Sequence, residues 1–171
     1  VREGVSPAKI TRVGNIMIDS LVMAMGAVKD LDICLRFGCR HSEYGLVTLH
    51  RPSNVDNKKT LKALCEQLAD ISQTIPLIFP VHPRTAGKLK EYDINLLDSA
   101  PGVHLTDPLG YKEFMNLVLN SRFIITDSGG VQEETTYLQI PCLTLRPNTE
   151  RPVTITQGTN VLCMADNLKS M

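Results

Sequence analysis

Residues 123–134 read Phe123-Ile124-Ile125-Thr126-Asp127-Ser128-Gly129-Gly130-Val131-Gln132-Glu133-Glu134. An apolar run passes through a turn of small residues into a helical pattern, which is the sequence form of a strand followed by a helix. Without a Cβ, Gly129 and Gly130 can take unusual backbone angles and let a ligand approach the main chain. The first N–H groups of the following helix have no partner inside it and lie at the positive end of its dipole, so the turn suits an anion such as phosphate. The plain alternative is a strand-to-helix turn capped by Ser128. Glu133 and Glu134 bear on the choice. Both suit the helix dipole, but both would repel a phosphate beside them, so one of them is expected to do something more specific, such as accepting hydrogen bonds from sugar hydroxyls.

The whole chain sets the frame for this turn. Its 171 residues suit one ordinary domain, and 43% hydrophobic residues can build a full core. Eighteen basic and eighteen acidic side chains cancel, so no long-range field favours nucleic acid or an anionic membrane, and anion recognition must be local. No apolar run approaches the length of a membrane span, and no charged-then-apolar leader is present. The expectation is a soluble, cytoplasmic protein with neither a nucleic-acid nor a membrane partner. Cys34, Cys39, Cys65, Cys142 and Cys163 are odd in number and scattered, as reduced thiols are. Cys34, Cys39 and His41 stand close in sequence, but their spacing matches no standard zinc pattern, so no metal is expected. Opening at Val1 and closing at Met171 after a strand-like run, the sequence reads as an excised piece.

Working outward from the glycine turn, the chain alternates between two periodicities. Residues 10–14 read as a short strand end, and Ile16, Leu21, Val22, Met25 and Val28 follow at helical spacing. Residues 29–44 read as a connector. From Gly45 the pattern is regular. Strands are expected at Leu46–Leu49, at Leu77–Phe79 with Val81, at Val103–Leu105, at Phe123–Ile125, at Cys142–Leu145 and at Asn160–Cys163. Between them helices are expected over Leu61 to Ile75, Ala86–Tyr92, Tyr111–Asn120 and Val131–Leu138. Strands alternating with helices predict an α/β fold with a doubly wound parallel sheet, Rossmann-like in form.

The conspicuous polar residues fall where such a sheet binds ligands. His50-Arg51 follows the first strand, His82-Pro83-Arg84 the second, Thr106-Asp107-Pro108 the third, Asp127-Ser128 the fourth and Arg146 the fifth. All lie at carboxyl ends of strands, the edge along which open α/β sheets form their crevice. Taken singly, His50 or His82 is more often a hydrogen-bonded structural histidine, and Arg51 or Arg84 a solvated surface residue. Together they look like a basic rim. Arg151, in Asn148-Thr149-Glu150-Arg151-Pro152, adds a cation after the fifth strand, where the plain reading is a surface pair with Glu150.

With TDSGGVQEE, NTERP, the pair HR after a strand, VHPR and TDPLGYKEF all present, the chain resembles the non-hydrolysing UDP-N-acetylglucosamine 2-epimerases. The resemblance runs from about Gly45 to Leu162, and REGVSPAKITRVGNIMIDSL is similar to that family's passage between its two domains. It implies the C-terminal half of a GT-B two-domain architecture: residues 1–40 would be the end of the N-terminal domain and a connector, and residues 41–171 a UDP-binding domain incomplete at its C-terminus. It implies that Ser128, Gly129 and Gly130 hold the pyrophosphate, that Glu134 takes the ribose hydroxyls, that Phe114 lies beside the uracil, that Arg151 contacts phosphate and that His50 is catalytic. Arg51 and His82 join the UDP-binding set. The activity implied is an isomerase interconverting UDP-N-acetylglucosamine and UDP-N-acetylmannosamine, in which loss of the C2 proton and of UDP leaves a glycal to which UDP adds back. No cofactor and no metal are implied. Partners would be the UDP-sugar and the missing N-terminal domain, which carries the family's acid–base carboxylates, with a homodimer as a further form. Family members often carry glutamates where this chain has Ser53 and Val153, and neither position receives a role. The alternatives are a GT-B glycosyltransferase, a hydrolysing epimerase, or a nucleotide-sugar-binding module without catalysis.

Overall fold

Side-chain alternation along four-residue strands builds the core. In the computed structural model, which describes residues 3–165 and Leu168, the strands are β1 (Gly45–Thr48), β2 (Leu77–Pro80), β3 (Val103–Thr106), β4 (Phe123–Thr126), β5 (Cys142–Leu145) and β6 (Asn160–Cys163). They form one sheet in the order β3-β2-β1-β4-β5-β6, with every neighbouring pair parallel. Leu46, Ile78 and Ile124 stand level across the three central strands and enter one core, while Val47, Leu77, Phe79 and Ile125 enter the other. A parallel sheet must be covered on both faces, and a strand with two buried faces reads as a continuous apolar run. Burying each such side chain fully is worth about 1.5–3 kcal/mol, so the two layers supply the main stabilisation.

The helices divide between the faces. On one side α3 (Lys58–Ser72) follows the short α2 (Pro52–Val55) and buries Leu61, Leu64, Cys65 and Leu68, one stripe at helical spacing. Asn57 caps α3 by accepting from Thr60 N at 3.1 Å. Then α4 (Pro83–Glu91) packs Leu89 against the same core. On the other side, α5 (Tyr111–Asn120) and α6 (Gly129–Leu138) pack with α1 (Ile16–Lys29), whose Leu21 and Val28 are buried beside Met115, Leu117 and Val118. A short α7 (Val153–Thr156) precedes β6. Among the described residues, no helix is long and apolar enough to cross a membrane.

Several boundaries differ from the sequence expectation, each for a local reason. Residues 10–14 are not strand: no partner strand lies beside them, and Val13 is 85% exposed. The second strand stops at Pro80, one short of Val81, and the first at Thr48. Helix α4 begins at Pro83 rather than Ala86, because His82 caps it and proline suits a first helical position. The connector holds a 3-10 turn at Ile33–Phe37, closed by Gly38 at φ 69°. Of the expected segments 1–40 and 41–171, residues 1, 2, 166, 167 and 169–171 lie outside the described ones.

The connector is tied down by one buried amide. Asn116 accepts from Ile33 N at 3.0 Å and donates to Val28 O at 2.9 Å and Leu31 O at 2.7 Å. Replacing it with alanine strands three buried main-chain groups, which costs on the order of 2–4 kcal/mol. Urea unfolding of Asn116→Ala should show that loss, and hydrogen exchange at the Ile33 amide should accelerate relative to amides in β1. Unchanged stability would remove Asn116 from this role.

Candidate functional site

The strand order places a topological switch point between β1 and β4: β1 leads on toward β2 and β3, β4 toward β5 and β6. Loops leaving such neighbours diverge and open a crevice past their carboxyl ends. The loops there are 49–51 and 127–128. Asp127 joins them. It is 0% exposed, and its carboxylate accepts from His50 N at 3.0 Å, Arg51 N at 2.8 Å and the Asn54 side chain at 3.1 Å. His50 Nδ1 lies 3.0 Å from the other carboxylate oxygen. Burial pushes the Asp127 pKa upward, but the hydrogen bonds from the His50 ring, Arg51 N–H and Asn54 outweigh it and hold the group below the usual carboxyl range. Asn54 also donates to Leu145 O at 3.0 Å, which extends the tie to β5.

The glycine turn lies beside this hub. Ser128 is the N-cap residue of α6, in extended conformation, yet its side chain makes no capping hydrogen bond. Its hydroxyl and the first N–H groups of the helix are therefore a donor cluster at a positive helix end. Gly129 and Gly130 begin α6 itself, two residues earlier than expected, and neither has positive φ. What glycine supplies here is clearance. A Cβ on Gly129 would stand 2.9 Å from Arg151 Nη1 and 3.6 Å from Arg146 Nη1, and one on Gly130 would meet Met17 Cε at 2.7 Å.

Two arginines thus overhang the helix end, each held by carboxylates. Arg146, 8% exposed, is bound at 2.8 and 2.6 Å by the two oxygens of Glu150. Those bonds, with Arg146 the main cause, draw the Glu150 pKa down to about 2. Arg151 Nε lies 2.9 Å from Glu133 Oε2 and its Nη1 3.6 Å from Glu150 Oε2. The Nε contact is off the hydrogen-bonding angle, and Arg151 Nε and Arg51 Nε are both buried without a hydrogen-bond partner.

The paired glutamates of α6 take different environments. Glu133 neutralises Arg151, whereas Glu134 is 5% exposed and accepts from the Tyr111 hydroxyl at 3.0 Å. Burial raises the Glu134 pKa, the Tyr111 bond lowers it, Glu133 raises it, and the net shift is upward. The Tyr111 phenol is pushed up to about 12 by its own burial and by Glu134. Tyr111 opens α5, and half-buried Phe114 follows three residues later, close to Tyr111 on the helix surface. Sequence reasoning missed Tyr111 and Asn54. Tyr111 carried a usable signal, since a phenol one helical turn before Phe114 at a helix start can reach a neighbouring helix end.

On the β1–β2 side, His82 caps α4 by accepting from Arg84 N at 3.1 Å on Nδ1, and its ring centroid lies 5.3 Å from that of His50. Arg84 is turned aside into an ion pair with Asp56. The sites that come together are therefore His50, Arg51 and His82 on one flank of the switch point, and Ser128, Gly129, Gly130 and Arg151 on the other. Glu134 and Phe114 stand further along α6 and α5. Ser53 is exposed on α2, and Val153 is exposed at the start of α7. His41 pairs with Asp32 at 3.2 Å while Cys34 and Cys39 are buried. Among the described residues, no group of three His, Cys, Asp or Glu side chains could hold a metal ion.

Comparison with known proteins places this arrangement. The family model described as UDP-N-acetylglucosamine 2-epimerase matches residues 1–169. A curated UDP-N-acetylglucosamine 2-epimerase of Methanococcus maripaludis is 41% identical over 172 residues, 97% of this chain and 47% of the relative. Among solved structures, UDP-GlcNAc 2-epimerase of Methanocaldococcus jannaschii in complex with UDP-GlcNAc and UDP superposes with a TM-score of 0.89 at 40% identity, covering 99% of this chain and 48% of that one. The enzyme of Neisseria meningitidis bound to UDP-GlcNAc follows with a TM-score of 0.83 at 29% identity, over 99% of this chain and 47% of that one. The chain spans about half the length of the curated relatives it matches. On the family match and these identities, the chain belongs to the UDP-N-acetylglucosamine 2-epimerase family.

Proposed function

We propose that this chain is the C-terminal, UDP-binding domain of an enzyme that interconverts UDP-N-acetylglucosamine and UDP-N-acetylmannosamine at C2. The observation that carries the reading is the convergence, at the switch point, of an uncapped helix end with guanidinium groups whose Nε–H is unused. Ser128, Gly129, Gly130, Arg151 and Arg51 supply preorganised donors for a pyrophosphate. Glu134, deeper along α6, accepts from the ribose hydroxyls while Tyr111 holds its other oxygen, and Phe114 flanks the base. His82 borders the phosphate end.

Elimination of UDP after removal of the C2 proton places negative charge on the pyrophosphate, and re-addition requires that the same group stay bound. Donors fixed before the reaction stabilise that charge without reorganising. His50, held by Asp127, adds a donor where the charge grows. Proton removal and return at C2 belong to carboxylates on the other half of the enzyme, so this domain grips the leaving group and does not exchange protons at carbon. The proposal includes that half as partner and no metal or cofactor. It also includes a cytoplasmic setting, supported by five free, buried cysteines, and a homodimer, supported by apolar Ile16 and Met23 exposed along α1.

Three outcomes test the reading. Calorimetry should detect UDP binding to the chain at millimolar concentration, while deuterium fails to enter C2 of UDP-N-acetylglucosamine. A folded chain giving no heat, or exchange at C2, would overturn it. Glu134→Gln should weaken UDP by about 1.5–3 kcal/mol and narrow the preference for UDP over 2′-deoxy-UDP. Because Glu134 binds as a carboxylate with a raised pKa, UDP affinity in the parent should be full above that pKa. It should fall as pH drops through it, at a pH above that of a free glutamate, roughly 4.3. The glutamine variant should lack this limb; an equal limb in both proteins would assign it elsewhere. In the two-domain enzyme, His50→Asn should lower kcat on the order of a hundredfold or more with little change in KM. Retention of turnover within about threefold, at matched Tm, would confine His50 to a structural role.

A further inference from the structure

Which ring nitrogen of His50 meets substrate is decided by the groups around it. Asp127 Oδ2 is already occupied by three donors, Arg51 N at 2.8 Å, His50 N at 3.0 Å and Asn54 Nδ2 at 3.1 Å. Oδ1 faces His50 Nδ1 at 3.0 Å, with the His50 main-chain N–H at 3.1 Å. An ionised carboxylate only accepts, so the ring nitrogen it meets must carry the hydrogen. His82 has the reverse constraint. Its Nδ1 accepts from the Arg84 main-chain N–H at 3.1 Å, so in the neutral ring its hydrogen sits on Nε2.

We propose that Asp127 is a positioning residue that locks the neutral His50 ring with hydrogen on Nδ1, so that Nε2 is the atom through which His50 meets substrate. The inference rests on the functional reading for what His50 does, but not for how the ring is held. Two imidazoles with centroids 5.3 Å apart are thereby fixed in opposite tautomers, one by a buried carboxylate and one by a helix cap. Neutral His50 offers an acceptor at Nε2, which becomes the donor toward the growing pyrophosphate charge once the ring takes a proton there, and neutral His82 offers a donor at the same atom. Any proton that His50 gives or takes passes through Nε2, because Nδ1 is closed by Asp127. A buried partner that sets tautomer and ring orientation is how second residues tune a working histidine.

The substitution Asp127→Asn tests this sharply. The three donors around Oδ2 need an oxygen, so the asparagine carbonyl turns to them and its NH₂ takes the Oδ1 place. That NH₂ donates, so His50 Nδ1 must become an acceptor and its hydrogen moves to Nε2. The measurement is a ¹⁵N-edited spectrum of the imidazole nitrogens, in which hydrogen-bearing and bare nitrogens resonate far apart, recorded near pH 8 or above where free imidazole is neutral. Of four histidines, His50 and His82 are assigned by their single asparagine variants. The parent chain should show His50 with hydrogen on Nδ1 and His82 with hydrogen on Nε2. Asp127→Asn should reverse or mix the His50 pattern and leave His82 as it was. A parent His50 carrying hydrogen on Nε2, or a folded Asp127→Asn chain with the parent pattern, would overturn the proposal. If that variant does not fold, the parent spectrum decides alone. None of these readouts involves UDP, so a chain that fails to bind nucleotide leaves this result standing.

Discussion

One buried carboxylate holds the working edge of this sheet together. Asp127 sits at the end of β4, takes main-chain donors from the loop after β1 and, through Asn54, reaches the end of β5. A charge removed from water survives only when its oxygens are occupied, and here both are. The same bonds that make the buried charge tolerable fix the backbone of residues 49–51. Fold stability and placement of His50 and Arg51 are therefore one arrangement, not two.

The opposite flank of the crevice depends on spacing. Helix α6 starts directly on Gly129, and an arginine that follows β5 brings its guanidinium to 2.9 Å from where a Cβ on that glycine would stand. Glu133 and Glu134, adjacent in sequence, point to different neighbours because successive helical residues lie about 100° apart around the axis. One ends against Arg151 and the other against Tyr111. Two like charges that would be a liability beside a phosphate become a guanidinium anchor and a buried acceptor.

Much of this was legible in the residues themselves. Strand and helix periods alternate plainly from Gly45 onward, and residues following strands at the carboxyl edge must share a neighbourhood in a parallel sheet, so His50, Ser128, Gly129, Gly130 and Arg151 could be grouped before any coordinates. Boundaries slipped where side chains cap or partners are missing: His82 draws α4 back to Pro83, and the apolar residues 10–14 find no strand to pair with. The roles of Asn116 and the Asp127–Asn54 tie were hidden for a different reason. Asn54 meets Asp127 across 73 residues and the Asn116 side chain meets the Ile33 main chain across 83, and no local period encodes a hydrogen bond between groups so far apart. Of the two properties expected of Gly129 and Gly130, unusual backbone angles are absent, and the space a Cβ would take is filled by the ends of Arg151 and Met17.

The alternating chain of Arg146, Glu150, Arg151 and Glu133 has a consequence for ligand exchange. Glu150 contacts both guanidinium groups, and Glu133 braces the second. The arginines are thus already ordered, and in the proposed function a pyrophosphate reaching Arg151 need not freeze a long side chain that would otherwise cost about 0.5–1.5 kcal/mol to immobilise. In the proposed function it exchanges with the exposed carboxylate of Glu150, one counter-ion for another.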